Sequence, residues 1–263
     1  MADITAYTLF SGSSGNSVYV KTPDAEILID AGVSARNIEA GLAKVGSSLS
    51  RITAIFVTHE HSDHTKGLEV ISKKHHIPTH MITASAKALI KDAGASLLGD
   101  LYLHDGAFCI QYGSTAVRAF LTPHDSAAAV GYTVEYIRED GATEKFGLAT
   151  DIGCITETIR SSLLGARAVV LEANHDVEML LMGPYPYTLK RRILAPTGHL
   201  SNEKCAELAR FLAENGTKHF VLAHLSKDNN YPPVAEAVTS GALSDFADVT
   251  LAVASTDTPP FVG

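Results

Sequence analysis

The segment Thr58-His59-Glu60-His61-Ser62-Asp63-His64 constrains this chain more than any other stretch of it. Four side chains that can bind a metal, His59, His61, Asp63 and His64, fall within six residues. One tetrahedral site cannot easily draw all four from so tight a loop, whereas two neighbouring ions can. Alternation in extended backbone turns His59 and His61 the same way, and Asp63 and His64 fall past the bend. The natural division gives the first pair to one ion and the second pair to another. The apolar run Ile52-Thr53-Ala54-Ile55-Phe56-Val57, a buried-strand candidate, delivers the chain directly into this loop. A helical zinc-protease motif, His-Glu-x-x-His, is excluded, because Asp63 stands where its second histidine would be.

Two sites need further ligands, and four residues share a context. Asp30 ends Ile27-Leu28-Ile29, and His124 follows a run over 119–123. Asp151 follows Gly147-Leu148-Ala149-Thr150, and His224 follows Phe220-Val221-Leu222-Ala223. Functional groups collect on loops at strand ends, where a rigid scaffold holds them. Taken singly, an aspartate after a strand is as readily a cap or turn residue.

The rest of the pattern supplies that scaffold. β-rich runs over 6–10, 17–21 and 26–30, separated by turn residues, predict adjacent antiparallel strands. Apolar spacing of three and four predicts helices over 34–45, 65–75, 85–93, 176–181, 188–194, 202–214 and 233–239. Further strands are expected over 108–111, 116–121, 130–136, 146–150, 168–171, 219–223 and 249–253. With 263 residues and 46% hydrophobic composition, the chain can bury a large core. No repeat or linker is evident, so one domain over 1–263 is expected. Many strands with helices between and after them predict two mixed sheets with helices on the outer faces, an α/β (α+β) sandwich of four layers, αββα.

The net charge of −8 offers no global attraction to nucleic acid, although carboxylates that hold cations also count as negative. No apolar run approaches the ~20 residues needed to span a bilayer. The first residues do not form a secretory signal. Three scattered cysteines give no disulfide framework, which fits a reducing cytoplasm.

Together these residues resemble the metallo-β-lactamase fold superfamily. Its hallmark, Thr-His-x-His-x-Asp-His, matches Thr58 to His64, and Asp30, His124, Asp151 and His224 follow its order. The resemblance implies one metal held by His59, His61 and His124. It implies a second held by Asp63, His64 and His224, with Asp151 bridging both. Asp30 would stand behind the loop and orient it, as carboxylates behind metal-bound imidazoles do. Imidazole-rich ligation suits zinc, while the carboxylates permit manganese or iron.

Four further segments are similar to the bacterial YycJ/WalJ-like hydrolases, a group of DNA exonucleases related to tRNase Z. They are Ser11-Gly12-Ser13-Ser14-Gly15-Asn16-Ser17, Leu171-Glu172-Ala173-Asn174-His175-Asp176, Gly198-His199-Leu200-Ser201-Asn202 and the run over 224–230. The resemblance implies attack on phosphorus by a hydroxide between the metals, with Asp63, Glu172 and His199 in catalysis. No long insertion separates Asp151 from His224, which argues against a ribonuclease J-like chain. An acyl hydrolase of glyoxalase or lactonase type is the alternative, since the fold does not fix the substrate.

Outside the ligand set, readings stay open. His199 precedes a helix that Ser201 would cap, and could act as an acid or as a neutral donor. His175 could ligate a metal, contact substrate or pack structurally. The Gly/Ser turn with Asn16 could contact a phosphate, or is a tight hairpin that needs glycine for positive φ, and Ser226 and Asn229 are further candidate substrate contacts. Lys190-Arg191-Arg192, after Tyr185 and Tyr187, is the best nucleic-acid patch, or else a solvated helix face. His75, His76, His80, His104 and His219 are left as surface or core histidines.

Overall fold

The alternating opening segment forms three antiparallel strands, β1 (Thr5–Phe10), β2 (Ser17–Lys21) and β3 (Glu26–Ile29). From β3 the pairing turns parallel through β4 (Ala54–Phe56), β5 (Thr79–Ile82) and β6 (Leu101–His104). This is a computed structural model, and it describes residues 3–93, 99–255 and 261–262. A second sheet begins antiparallel, through β7 (Cys109–Tyr112), β8 (Thr115–Thr122), β9 (Ala129–Ile137) and β10 (Thr143–Ala149). It continues parallel through β11 (Ala168–Glu172), β12 (His219–Ala223) and β13 (Thr250–Val253). The last described strand, β14 (Phe261–Val262), returns to pair with β1 in the first sheet.

Helices cover both outer faces. The first sheet carries α1 (Ala35–Lys44), a short α2 (Ser62–Thr65), α3 (Leu68–His75) and α4 (Thr83–Ala93). The second carries α5 (Glu157–Leu163), and, after the two short helices α6 (Val177–Met182) and α7 (Tyr187–Ile193), it carries α8 (Asn202–Glu214) and α9 (Pro232–Ala242). Three apolar clusters hold these layers together. Val20, Ile27, Phe56, Tyr132, Phe146 and Val170 pack between the sheets. Leu28, Ile38, Leu42 and Ile71 join α1 and α3 to the first sheet, and Val169, Leu171, Leu208 and Leu212 join α8 to the second. Strands β3, β4 and β11 are buried throughout, which explains why they read as continuous apolar runs.

The expected four-layer αββα sandwich is therefore the observed one. The chain departs from the expected helix over 65–75, which is instead α2 and α3 joined at Lys66 and Gly67. A Cβ at Gly67 would lie 2.5 Å from the Val33 carbonyl oxygen, so glycine lets this corner approach the loop after β3. Strands β5 and β6 were not expected, because Thr79-His80-Met81-Ile82 and Leu101-Tyr102-Leu103-His104 carry polar residues and little turn punctuation.

His80 in β5 is a core histidine, 5% exposed. It stacks on Phe56 at 4.8 Å and lies 3.1 Å from the His104 ring nitrogen. Burial, with His104 alongside, pushes its pKa down to about 4. The unfolded chain, with a histidine pKa of about 6.5, binds the proton more readily. His80 therefore lends stability above about pH 6.5 that is lost as pH falls toward 4. A His80→Phe variant should lose on the order of 2–3 kcal/mol less across that window, measured by denaturant unfolding at both ends.

Candidate metal centre

Parallel pairing brings the ends of β3, β4, β10, β11 and β12 to one edge of the sandwich. Strand β8 joins them, because both β8 and β10 run antiparallel to β9. Ligand sites in open α/β sheets lie beyond the carboxyl ends of such strands. Three residues there take a left-handed backbone turn: Asp30 (φ 62°), Asp151 (φ 54°) and His224 (φ 57°). For a non-glycine residue that costs roughly 1–3 kcal/mol, so packing around each must over-determine it. Aspartate tolerates the conformation better than most side chains.

The His-rich loop is clamped from behind. Asp30 accepts hydrogen bonds from the Thr58 amide and hydroxyl, both at 2.8 Å, and from His64 Nδ1 at 2.7 Å. The carboxylate thus fixes the His64 tautomer and leaves Nε2 facing forward. Backbone bonds complete the clamp: Ala31 N to the His64 carbonyl, Asn16 N to the Asp63 carbonyl and Gly32 N to the Asn16 carbonyl. A Cβ on Gly32 would lie 1.7 Å from the Asp63 carbonyl oxygen, so only glycine fits there. Asn16 is buried: its Oδ1 accepts from the Gly12 amide, and its Nδ2 lies within reach of the Gly12 carbonyl, Asp63 Oδ2 and, at 3.1 Å, His64 Nε2. The Gly/Ser turn serves the loop in this way, and Ser11 also accepts from the His224 amide at 2.7 Å.

In front of the clamp the ligand atoms converge. His59, His61 and His124 form one group within 4.8 Å, and Asp63, His64 and His224 form another. Asp151 lies between them, its oxygens 3.3 Å from His64 Nε2, 3.5 Å from His224 Nε2 and 3.8 Å from His124 Nε2. The fold family implies divalent metal ions here. His59 Nε2, His124 Nε2, His224 Nε2 and Asp151 Oδ2 are all buried without a hydrogen-bond partner. Buried polar atoms are rarely left so, and a convergent set of nitrogen and carboxylate donors is what borderline divalent cations bind. The residues fit the ions.

Electrostatics agree. Burial works against charge on His224, yet Asp151, Asp63 and Glu172 outweigh it and raise the pKa to about 10. His64 is likewise raised well above the ordinary value against its burial, by Asp151 and Asp30. In the chain alone, protons offset these carboxylates, and cations bound there would displace them. Burial and the charge on His64 push His59 well down, so it stands neutral and ready to ligate.

Beside the second group lies Glu172, fully buried. Its Oε1 accepts from His199 Nδ1 at 2.7 Å and sits 3.1 Å from His224 Nδ1, while Oε2 accepts from the Ile152 amide at 2.8 Å. His199 leaves its Nε2 toward a half-open cleft that also contains His61, Asp63, Asp151 and Arg192. Ser201 caps α8 just after it, its hydroxyl accepting from Lys204 N. Burial opposes charge on His199, but Glu172 and Asp151 raise its pKa above the ordinary value.

The remaining candidates separate. Ser226 lines the cleft. Asn229 is wholly buried and donates to the Ser226 hydroxyl at 3.3 Å. Lys190 turns away, its ammonium donating to the carbonyls of Leu181 and Gly183. Arg191 lies over the Tyr187 ring, 5.9 Å from its centre. Within that basic run Arg192 alone lines the cleft, paired with Asp125. His175 joins none of the metal-binding groups, and its two ring nitrogens are buried without partners. Arg192 and Tyr185, named in the sequence as part of a basic and aromatic patch, both line the cleft, whereas Asp125 was not singled out and no local spacing marked it.

The fold and this donor set define a hydrolase of metallo-β-lactamase architecture. The chain belongs to the β-lactamase superfamily, whose domain matches residues 25–225. It is 36% identical over 237 residues to the exodeoxyribonuclease YycJ of Bacillus anthracis, covering 90% of this chain and 88% of that protein. It is 35% identical over 229 residues to the exodeoxyribonuclease WalJ of Streptococcus pneumoniae, covering 86% and 83%. Among solved structures, Zn(2+)-bound PqqB from Methylobacterium extorquens superposes with a TM-score of 0.70 at 16% identity, over 98% of this chain and 99% of that one. The short form of human tRNase Z gives 0.59 at 19% identity, over 85% and 93%.

Proposed function

We propose that the chain is a two-metal phosphodiesterase acting on nucleic acid, with DNA exonuclease activity as the leading form. The observation that carries this is the Glu172–His199 pair, set directly beside the ligand groups in a polar cleft edged by Arg192. Of the residues lining that cleft, Tyr185, Leu189 and Ile193 bring large apolar surface and most others are charged or polar, which suits a charged diester better than an acyl chain. The exodeoxyribonuclease relatives support the same reading.

His59, His61 and His124 would hold one ion, and Asp63, His64 and His224 the other, with Asp151 shared. Zinc fits the imidazoles best, and manganese or iron fit the carboxylates. Bound there, the ions would supply an activated water and neutralise charge on the phosphoryl oxygens. His64 is oriented for ligation through Asp30. Glu172 holds the His199 proton at Nδ1, and protonation at Nε2 lets that atom donate to the leaving oxygen. Arg192 exchanges Asp125 for a non-bridging phosphate oxygen, a match its planar fork makes well.

The test is end-labelled DNA incubated with purified protein under several divalent metals. Cleavage is expected. Inertness toward DNA together with hydrolysis of a thioester or lactone would replace this reading with the acyl one. Arg192→Ala should raise KM for DNA about tenfold, with a smaller effect on kcat. Its side chain is 61% exposed, so the difference should shrink as salt rises, read by steady-state kinetics at low and high ionic strength.

A further inference from the structure

On a chain of net charge −8, a gathering of unpaired cations stands out. Elsewhere arginines answer carboxylates, as Arg51 does Glu26, Arg138 does Glu144 and Arg210 does Asp245. Arg36 on α1, Lys66 at the end of α2 and Lys74 on α3 are exposed, and none makes an ion pair among the described residues. All three line one open groove of about 540 Å³. Glu39 is the only acid on its walls, and that carboxylate already accepts from Leu49 N at 2.7 Å. Lys73 nearby is answered by Glu69. The groove therefore carries an excess of positive charge, which draws in a polyanion.

The groove continues from the metal cleft. His61 and Asp63 line the cleft, and Ser62 between them is exposed. Ser62 and Lys66 stand four residues apart, so they share a face of this short helix, and Lys66 N donates to the Ser62 carbonyl at 3.0 Å. A second link runs through the Gly/Ser turn. Ser13 lines the cleft, and a Cβ at Gly15 would meet Val33 Cγ1 at 2.3 Å, just before Ser34 and Ala35 in the groove wall. From Lys66 to Lys74 the groove follows α3, a length of about 12 Å, which is roughly the rise of three to four nucleotides in a stacked strand. We propose that this groove is a track for the DNA strand that runs on from the end held in the cleft, with Arg36, Lys66 and Lys74 each meeting a backbone phosphate. Such contacts position a strand without reading its sequence. The proposal rests on the phosphodiesterase reading above.

A double variant, Arg36→Ala with Lys74→Ala, tests it. Both side chains are exposed on helices outside the metal centre, so the unfolding midpoint should hold. KM for a single strand of about 20 nucleotides should rise about tenfold at low salt. The kcat/KM for bis(p-nitrophenyl) phosphate, a diester too short to reach the groove, should stay at the wild-type value. The charge-keeping pair Arg36→Lys with Lys74→Arg should restore KM for DNA. A second arm needs no activity. With metals chelated, fluorescence anisotropy of the labelled strand should show the same loss of affinity, and the slope of log affinity against log salt should flatten by about 1.4, at about 0.7 for each lost phosphate contact. Unchanged DNA affinity and salt slope overturn the track, as do equal losses on DNA and on the small diester. Unchanged DNA affinity with weakened binding of a poly-glutamate peptide would give the groove to an acidic protein instead. If the wild-type protein cleaves neither diester, the phosphodiesterase reading has failed and the anisotropy arm alone decides the track.

Discussion

Asp151→Asn should lower DNA hydrolysis by more than about 100-fold, because loss of a residue merely behind a ligand already costs 10–100-fold in metal affinity or activity. Asp151 is 2% exposed, and its oxygens lie within 3.8 Å of ring nitrogens from His64, His124 and His224. Asparagine keeps the shape and tolerates the left-handed turn at φ 54°. The backbone should therefore stand while the shared negative charge is lost. Elemental analysis should find less than the full metal complement, and circular dichroism should match the wild type. A variant that keeps both metals and full activity would remove Asp151 from the centre.

Glu172→Leu should destabilise the folded state by about 3–5 kcal/mol in denaturant unfolding. The carboxylate is fully buried and accepts from His199 Nδ1 and from the amides of Ile152 and Leu200. Removing it strands those donors and takes away the counter-charge that raises His224 and His199. Glu172→Gln should fold better but still cut kcat about 100-fold, since its one carbonyl oxygen cannot accept from both His199 Nδ1 and the Ile152 and Leu200 amides, and the negative charge that holds the His199 proton is lost. An unchanged kcat in the Gln variant would confine Glu172 to a packing role.

The legible part of this molecule was the part with dense local chemistry. The Thr58–His64 loop and the polar residues following apolar runs stand out because a chemically distinct residue at a strand end leaves a one-dimensional trace. Strand β5 left none, because His80 is buried by stacking on Phe56, a contact that its neighbours in sequence do not encode. The run Lys190-Arg191-Arg192 looked uniform in sequence. On α7 successive residues point about 100° apart, so one turns back to the Leu181 carbonyl, one lies over Tyr187 and one reaches the cleft. That rotation is fixed by how the helix packs, not by its composition. The partnerless state of His175 was equally hidden, since it depends on what the fold fails to place beside it.

The left-handed turns at Asp30, Asp151 and His224 have a consequence for how the protein acquires its ions. Their conformational cost is met by packing and hydrogen bonding of the chain itself, when it folds. Little ordering is then left for the binding step, so association should be quick and removal of the ions should leave the architecture intact.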